Sequence, residues 1–220
     1  NLLFLRMADQ ILILDFGSQF TQLIARRVRE LNVYCEIHPF NKVPAITRDI
    51  KGIILSGSPC SVREKEAPTV DLKLFGDVPV LGVCYGAQLI AHLSGGEVQP
   101  SQSREYGRAR LIDIDQHSPL LKEISQDSQV WMSHADTIMS IPDTYQILAR
   151  TSSVRVAAFK STTSNTYGIQ FHPEVTHTLE GKNLLRNFVV HICQCRQDWT
   201  PDQFVESVVS DMKKTIGNDK

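Results

Sequence analysis

The sequence predicts an α/β fold built on a parallel sheet with helices on its faces. Through the first 95 residues, short apolar runs alternate with segments whose apolar residues recur at helical spacing, which is the pattern of βαβ units. From about residue 97 strand-like runs dominate, so hairpins and mixed pairing are expected there. The 220 residues are enough for one such domain with a full core, or for one domain and a short appendage.

The first strand and helix are the clearest elements of the N-terminal half. Ile11 to Leu14 form a continuous apolar run, as a strand buried on both faces should. Asp15 to Ser18 break this run, and apolar side chains then recur at helical spacing from Leu23 to Leu31. Further strands are predicted at 33–38, 52–55 and 78–83, each followed by a turn of glycines or small residues.

The carboxyl ends of these strands indicate where a site should lie. In open parallel sheets, ligands bind in the crevice at the carboxyl ends of the strands. Three of those ends are the segments 15–19, 56–59 and 84–86, with the sequences DFGSQ, SGSP and CYG. We therefore expect functional residues in these three turns.

The C-terminal half is predicted to contain five further strands and two helices. The strands are expected at 109–114, 129–132, 145–150, 154–159 and 167–171. A helix should follow at 179–192, and another should run from Pro201, with Thr200 as its N-cap, to about Ile216. An apolar stripe from Phe204 to Met212 gives this last helix an intramolecular or a partner surface to cover.

Composition and charge exclude several classes of function. A chain with 42% apolar and 21% charged residues is an ordinary soluble protein, and its net charge of −1 gives no reason to expect nucleic acid or an anionic membrane as a partner. The apolar start from Leu2 to Leu5 is too short for a membrane span or a signal peptide, so we expect a cytoplasmic protein. Residues 1–9 are interpreted as an N-terminal extension without a function of its own.

The five cysteines are expected to be reduced thiols. An odd count without regular spacing does not fit a secreted disulfide scaffold. Cys193 and Cys195 suggest half of a metal site, but no second Cys/His pair stands at zinc-like spacing. We therefore predict no metal and interpret these two residues as incidental thiols near a helix end.

The segment from Gly82 to Gly86 carries the sequence GVCYG between an apolar strand and a helix. This is the G-x-nucleophile-x-G elbow with a cysteine as the nucleophile. The flanking glycines suit a sharp, strained turn that larger side chains would crowd. The helix N-terminus favours a thiolate through its unpaired N–H groups and the helix dipole. We predict Cys84 as a catalytic nucleophile, with a buried structural cysteine as the alternative.

His172 is the predicted base among the seven histidines. It follows the strand predicted at 167–171, in the same kind of position as Cys84, and Pro173 and Glu174 come next. Because proline fixes the turn, the Glu174 carboxylate can bend back to hold one imidazole nitrogen and leave the other for sulfur. The sequence therefore predicts a catalytic triad of Cys84, His172 and Glu174, with a surface His-Pro turn as the alternative.

Attack on an amide creates an oxyanion, which needs N–H donors aimed at it. The N–H of Tyr85, just past the nucleophile, has the standard position in such an elbow. A second donor is expected from the tight turn at 56–59, for which an ordinary loop is the alternative interpretation.

With these residues assembled, the chain resembles the class I glutamine amidotransferases, and within them the branch of the GMP synthase amidotransferase domains. The resemblance runs from about Ile11 to His191. The cysteine elbow and the His-Pro-Glu segment mark the class. The segments 13–19 and 103–107 are similar to the GMP synthase branch.

The resemblance implies a central mixed, mostly parallel sheet flanked by helices, and hydrolysis of L-glutamine to glutamate and ammonia through a thioester. It puts the oxyanion donors on the backbone N–H groups of Ser58 and Tyr85. Ser58 departs from the family, which usually has a second glycine there, so this donor needs a φ and ψ that a residue with a Cβ accepts. Glutamine recognition is implied for four residues, Gln88, Ser133, His134 and Asp136.

The family also implies a use for the ammonia. In GMP synthases a second, ATP-dependent domain aminates XMP to GMP, and ATP and Mg²⁺ belong to that domain. Nothing in this sequence resembles its phosphate-binding loop. We therefore expect residues 10–195 to be an amidotransferase domain without a cofactor, and 196–220 to be a helical linker toward a synthetase partner, fused or separate.

Other functions remain open at this point. Within the class, the chain would serve the synthesis of anthranilate, CTP or carbamoyl phosphate, but the segments 15–19 and 103–107 argue against this. Outside the class, it would be a cysteine hydrolase or stress protein with the same elbow, or a glutamine-binding regulatory module. The first should lack the His-Pro-Glu segment and the second should have lost a triad residue; neither loss is visible.

Overall fold

A computed structural model describes residues 8–202, 205 and 209, with the backbone alone at 102–105. The strands are β1 (Gln10–Asp15), β2 (Tyr34–Pro39), β3 (Ile50–Leu55), β4 (Val80–Val83), β5 (Glu97–Arg110), β6 (Gln129–Ser140), β7 (Tyr145–Ala149), β8 (Ala158–Ser161) and β9 (Thr166–Ile169). The helices are α1 (Thr21–Arg29), α2 (Tyr85–Leu93) and α3 (Gly181–Arg186). A 3-10 turn spans Leu72–Phe75, and α3 continues as a π-helical turn over Asn187–Ile192.

Seven strands form one sheet in the order β2-β1-β3-β4-β9-β8-β7. The pairs from β2 to β9 are parallel, and β8 and β7 extend the sheet by antiparallel pairing. This confirms the predicted α/β class with a mixed, mostly parallel sheet. The central strand of the order, β4, runs parallel to its neighbour β9 with Val83 opposite Ile169, so the chain leaves both strands at the same edge of the sheet.

The core lies in two layers, one on each face of this sheet. Ile11 and Ile13 of β1 pack into one layer, together with the apolar sides of α1 and α3. Leu12 and Leu14 of the same strand pack into the other layer, with α2. The continuous apolar run of β1 therefore reflects burial on both faces, as the sequence predicted.

β5 and β6 form a separate two-stranded antiparallel ribbon that packs beside α2. Only the ends of these strands were predicted, at 109–114 and 129–132. The polar composition of β5, together with Pro100 and Gly107, hides the alternation of a strand, because a ribbon with an open face needs few apolar side chains. Beyond Arg110 the predicted strand is wrong, since Ile112 makes only an isolated bridge to Arg150.

Two other boundaries differ from the prediction. A strand was predicted at 154–159, but β8 begins only at Ala158. Most of this apolar run is a buried segment that precedes the strand. Burial of Val154 and Val156 outside a strand explains this error, because apolar character reports burial and not strand pairing. β9 ends at Ile169, so Phe171 and His172 belong to the loop that follows.

The predicted helix at 179–192 is present as α3 and its π-helical continuation. The helix predicted from Pro201 to Ile216 lies mostly outside the described residues, as do the stripe from Phe204 to Met212 and residues 1–7. Asp9 and Arg196, which border the predicted amidotransferase domain, form an ion pair of 2.9 Å. Within the described residues no helix is long and apolar enough to cross a membrane.

Candidate active site

Cys84 is the residue between β4 and α2, and its backbone is strained. Its φ of 52° and ψ of −105° lie in a region that residues with a Cβ rarely adopt, at a typical cost of about 1–3 kcal/mol. The Cys84 N–H donates to the carbonyl of Ile169 over 2.9 Å, which ties the turn to β9. The predicted nucleophile elbow is thus present, with Cys84 at the N-terminus of α2 and its side chain in a cleft.

Gly82 and Gly86 are required by close approach of the backbone. A Cβ on Gly82 would lie 2.5 Å from the carbonyl carbon of Gly86, and a Cβ on Gly86 would lie 2.4 Å from the carbonyl oxygen of Leu55. The two glycines therefore let α2 start directly against β3 and β4. The sharp turn itself is made by Cys84, whose positive φ the sequence did not reveal.

His172 lies in the loop after β9, on the same edge of the sheet as Cys84. Its backbone N–H donates to the carbonyl of Trp131 in β6 over 3.0 Å, and its side chain is buried. The Nδ1 atom lies 2.7 Å from Oε1 of Glu174, as the His-Pro-Glu segment predicted. The ring of Phe20 meets the imidazole edge to face at 5.1 Å. The structure thus brings together all three residues of the predicted triad.

The groups around the buried His172 ring favour its protonated, imidazolium form. Burial lowers the pKa of the ring, but the neighbouring Cys84 and the Glu174 carboxylate outweigh it and hold the pKa of His172 above its ordinary value. The imidazolium is therefore the favoured form of His172 in this site. This is the state that a nucleophilic cysteine with a proton donor beside it requires.

Glu174 and the loop around it are held by long-range contacts. The Glu174 side chain is fully buried, and its backbone carbonyl accepts a hydrogen bond of 3.0 Å from Nε of Arg27 in α1. Thr178 accepts from the N–H of Trp131 and donates to the carbonyl of His172. The loop that carries the histidine and the glutamate is thereby fixed to both α1 and β6.

A cleft of about 710 Å³ opens over Cys84. Ser58 lines this cleft with a φ outside the left-handed region, so its conformation accepts a Cβ, the condition set by its departure from the family pattern. Within the described residues, neither the Ser58 N–H nor the Tyr85 N–H has a protein acceptor. Both groups therefore have a free donor for an oxyanion.

The four residues predicted to bind glutamine all line the same cleft. Nε2 of Gln88 donates to the backbone carbonyl of Asp136 over 2.8 Å, and the Cys84 thiol lies 3.7 Å from the carbonyl oxygen of Ser133. His134 and Asp136 are buried on the inward face of β6. Burial lowers the pKa of His134 to about 4, so its ring is neutral beside the cationic His172.

Sequence reasoning missed two polar residues of the cleft, Ser61 and Arg63. The Ser61 hydroxyl donates to one carboxylate oxygen of Asp136, and Nη2 of Arg63 lies 3.3 Å from the other. Their only signal was their position just after the turn at 56–59. Within the part of the chain that the structure describes, no group of three or more His, Cys, Asp or Glu side chains has the geometry of a metal site.

Residues 12–192 match the family model of the class I glutamine amidotransferases. The chain belongs to this family. The amidotransferase is 67% identical, over 97% of its length, to the glutamine-hydrolyzing GMP synthase of Cytophaga hutchinsonii, and 54% identical to that of Phocaeicola vulgatus. It spans 42% of the length of either relative.

Solved structures agree with this assignment. The amidotransferase resembles the crystal structure of a GMP synthase component from Thermoplasma acidophilum, with a TM-score of 0.71 and 29% identity, over 84% of this chain and 94% of that one. A glutamine amidotransferase from Thermotoga maritima has the same fold, with a TM-score of 0.69 and 17% identity over 84% of this chain and 98% of its own.

Proposed function

We propose that this chain hydrolyses L-glutamine to glutamate and ammonia, with Cys84 as nucleophile, His172 as general acid and base, and Glu174 as the residue that orients and charges the histidine. The observation that carries the proposal is the buried contact of Nδ1 of His172 with Glu174, beside a strained cysteine in the same cleft. Such an arrangement is typical of nucleophilic acyl transfer.

The steps follow from the protonation of these groups. The Cys84 thiolate attacks the amide carbon of glutamine, and the oxyanion that forms accepts hydrogen bonds from the N–H groups of Ser58 and Tyr85. Collapse of this intermediate breaks the C–N bond, and His172 gives its proton to the departing ammonia. A thioester remains on Cys84. Water then attacks the thioester while His172 accepts a proton, and glutamate leaves as the thiol is restored.

Glutamine is proposed to lie along the inward face of β6. Gln88 fixes the backbone of Asp136, which keeps this part of the strand at a constant distance from α2. Ser133 borders the reacting sulfur, and His134 and Asp136 face the rest of the cleft. We assign these four residues to binding and orientation of the substrate.

Ammonia release from L-glutamine tests this proposal, with Cys84→Ala beside the unchanged chain. The matched control is Cys60→Ala, which removes the other thiol that lines the cleft. We expect release to disappear in Cys84→Ala and to persist in Cys60→Ala. Equal release from Cys84→Ala and the unchanged chain would disprove the mechanism, and no release from the unchanged chain, alone or with a synthetase partner, would favour the hydrolase or regulatory alternatives.

We further propose that the ammonia serves amination of XMP to GMP by an ATP-dependent synthetase domain, in the cytoplasm and without a nucleic-acid or membrane partner. The support is the 67% identity to a glutamine-hydrolyzing GMP synthase, and the remaining length of that relative favours a fused synthetase. ATP and Mg²⁺ are assigned to that domain, and no cofactor is assigned to this chain.

Coupled synthesis tests this second proposal. The chain is combined with a separately expressed synthetase domain, XMP and ATP with Mg²⁺, and GMP is measured with L-glutamine or with an ammonium salt. Cys84→Ala should abolish synthesis from glutamine and leave synthesis from ammonium intact. If the unchanged chain releases ammonia but supports no GMP formation from glutamine, it serves another synthase.

A further inference from the structure

Arg63 is a cationic side chain at the cleft, in addition to the imidazolium of His172 beside Cys84. Among the described residues around the cleft it is the single Lys or Arg, and Glu64 and Asp136 are the acidic ones. Its side chain is 41% exposed, whereas that of Asp136 is 7% exposed. The guanidinium therefore lies at the mouth of the cleft, over a carboxylate that lies deeper.

The contact between Arg63 and Asp136 occupies only one of the guanidinium nitrogens. One nitrogen, Nη2, lies 3.3 Å from Oδ1 of Asp136, which is longer than a typical charge-assisted hydrogen bond of about 2.7–2.9 Å. A guanidinium has five N–H donors in a planar fork, and among the described residues this is the one hydrogen bond that the Arg63 side chain makes. One contact from an arginine that is partly exposed to solvent holds the loop only weakly. The remaining donors are available to an anion in the cleft.

The position of the pair relative to Cys84 suits one class of ligand. The sulfur of Cys84 touches the carbonyl of Ser133, and Asp136 lies three residues further along β6. Three residues of a strand span about 10 Å, enough for an extended glutamine with a hydrogen bond at each end. The end of the substrate away from Cys84 would thus meet one negative and one positive side chain, which complement an α-ammonium and an α-carboxylate group.

We propose that Arg63 is a specificity-determining residue that binds the α-carboxylate of the substrate, while Asp136 binds the α-ammonium group. Ser61 supports this arrangement, because its hydroxyl holds Asp136 and accepts the backbone N–H of Arg63 over 3.2 Å. The inference rests on the proposed glutaminase function. It explains how the cleft would distinguish a free amino acid from other primary amides.

Binding to Cys84→Ala tests the inference without turnover. Calorimetry compares L-glutamine with glutaramate, which lacks the α-ammonium group, and with 4-aminobutanamide, which lacks the α-carboxylate. The variants are Arg63→Gln and Arg63→Lys, each added to Cys84→Ala. The matched control is Arg150→Gln, because Arg150 is also half-exposed and pairs with one aspartate, Asp113, outside the cleft.

Arg63→Gln should raise the Kd of L-glutamine and of glutaramate about tenfold or more, and change that of 4-aminobutanamide less than about twofold. Arg63→Lys should show an intermediate loss for the two carboxylates, because lysine keeps the charge but not the fork. Arg150→Gln should change none of them. An equal loss for all three ligands would mean a structural role, and an unchanged Kd for L-glutamine would also overturn the inference.

Steady-state kinetics in the unchanged background separates this inference from the proposed function. Arg63→Gln should raise KM for L-glutamine by the same factor as Kd and leave kcat within about threefold, since the lost contact is made equally in ground and transition states. A chain that binds L-glutamine through Arg63 but releases no ammonia would contradict the proposed function alone. A lower kcat with unchanged KM would contradict the inference alone.

Discussion

Two buried histidines lie in the same cleft, and their surroundings drive their charges in opposite directions. Burial lowers the pKa of both rings. Around His134 the effect of burial dominates, so the pKa of its ring falls to about 4. Around His172, Cys84 and Glu174 outweigh the effect of burial and hold the pKa of the ring above its ordinary value. The ring of His172 is therefore cationic, and the ring of His134 is neutral. Environments that separate two similar groups in this way are typical of catalytic sites.

Replacement of Glu174 tests its effect on the histidine. Glu174→Gln keeps the shape of the side chain but removes the charge that stabilises the imidazolium, so the pKa of His172 should fall. We expect kcat for glutamine hydrolysis to drop about 100-fold or more, and the alkaline limb of the kcat profile to move to lower pH. Ammonia release measured from pH 6 to 10 checks both effects.

The control for this variant is Glu180→Gln. Glu180 accepts hydrogen bonds from Ser125, outside the cleft, and its replacement should leave kcat and the pH profile unchanged. If Glu174→Gln retained the activity and the pH profile of the unchanged chain, Glu174 would not act on His172 during catalysis.

The neutral ring of His134 should make the protein sensitive to acid. Its pKa is about 4 in the folded chain and near 6.5 when unfolded, so the unfolded state takes up a proton first as the pH falls. The stability from this residue is complete above about pH 6.5 and is lost toward pH 4, with about 2 kcal/mol lost between pH 7 and 5.

His134→Gln should remove this dependence. Urea unfolding at pH 7 and pH 5 should show that the free energy of unfolding of the variant falls by about 2 kcal/mol less than that of the unchanged chain. Because His172 and the carboxylates titrate in both proteins, the difference between them isolates His134. An identical loss of stability would show that folding does not lower the pKa of His134.

At the scale of elements, the site depends on two parallel strands that end together. β4 leads into Cys84 and α2, and β9 leads into the loop of His172 and Glu174. Since neighbouring parallel strands present their carboxyl ends at one edge, residues that are 88 positions apart in the chain meet there. The start of α2 must also approach β3 closely, and glycine at position 86 allows this.

Gly86→Ala should disrupt the elbow. The new Cβ would lie 2.4 Å from the carbonyl oxygen of Leu55, and neither backbone can retreat without shifting α2 or β3. We expect the free energy of unfolding to fall by about 1–3 kcal/mol, measured by urea unfolding, together with loss of ammonia release. Gly57→Ala is the control for stability, because its Cβ would meet only side-chain atoms, at 3.3 Å or more. Equal stability of the two variants would contradict this account.

At the scale of the whole molecule, the chain spans 42% of the relatives that it matches. Ammonia made without an acceptor is lost, so we expect low basal glutaminase activity that rises when a synthetase domain binds with its nucleotides. An increase in kcat of about fivefold or more is expected, the usual scale of coupling between sites. Ammonia release with and without the synthetase domain, XMP and ATP checks this, and equal rates would refute it.

The sequence by itself determined the fold class, the elbow and the His-Pro-Glu segment. Each of these signals is local. The run from Ile11 to Leu14 is apolar because both faces of β1 are buried, and the glycines around Cys84 stand where the backbone is tight. Pro173 brings Glu174 back to Nδ1 of His172 within one short turn. When a structural feature depends only on a few neighbouring residues, those residues largely fix its backbone geometry. Such a feature can therefore be predicted from the sequence.

Only the tertiary structure decided how distant segments meet. The contact of Arg63 with Asp136 joins residues 73 positions apart, and that of Arg27 with the Glu174 carbonyl joins residues 147 apart. Neither pair has a local signal, and the polar strand β5 was missed for the same reason. The opposite charge states of His134 and His172 also depend on which groups surround each ring after folding. Such properties arise from packing between layers, which no short stretch of sequence encodes.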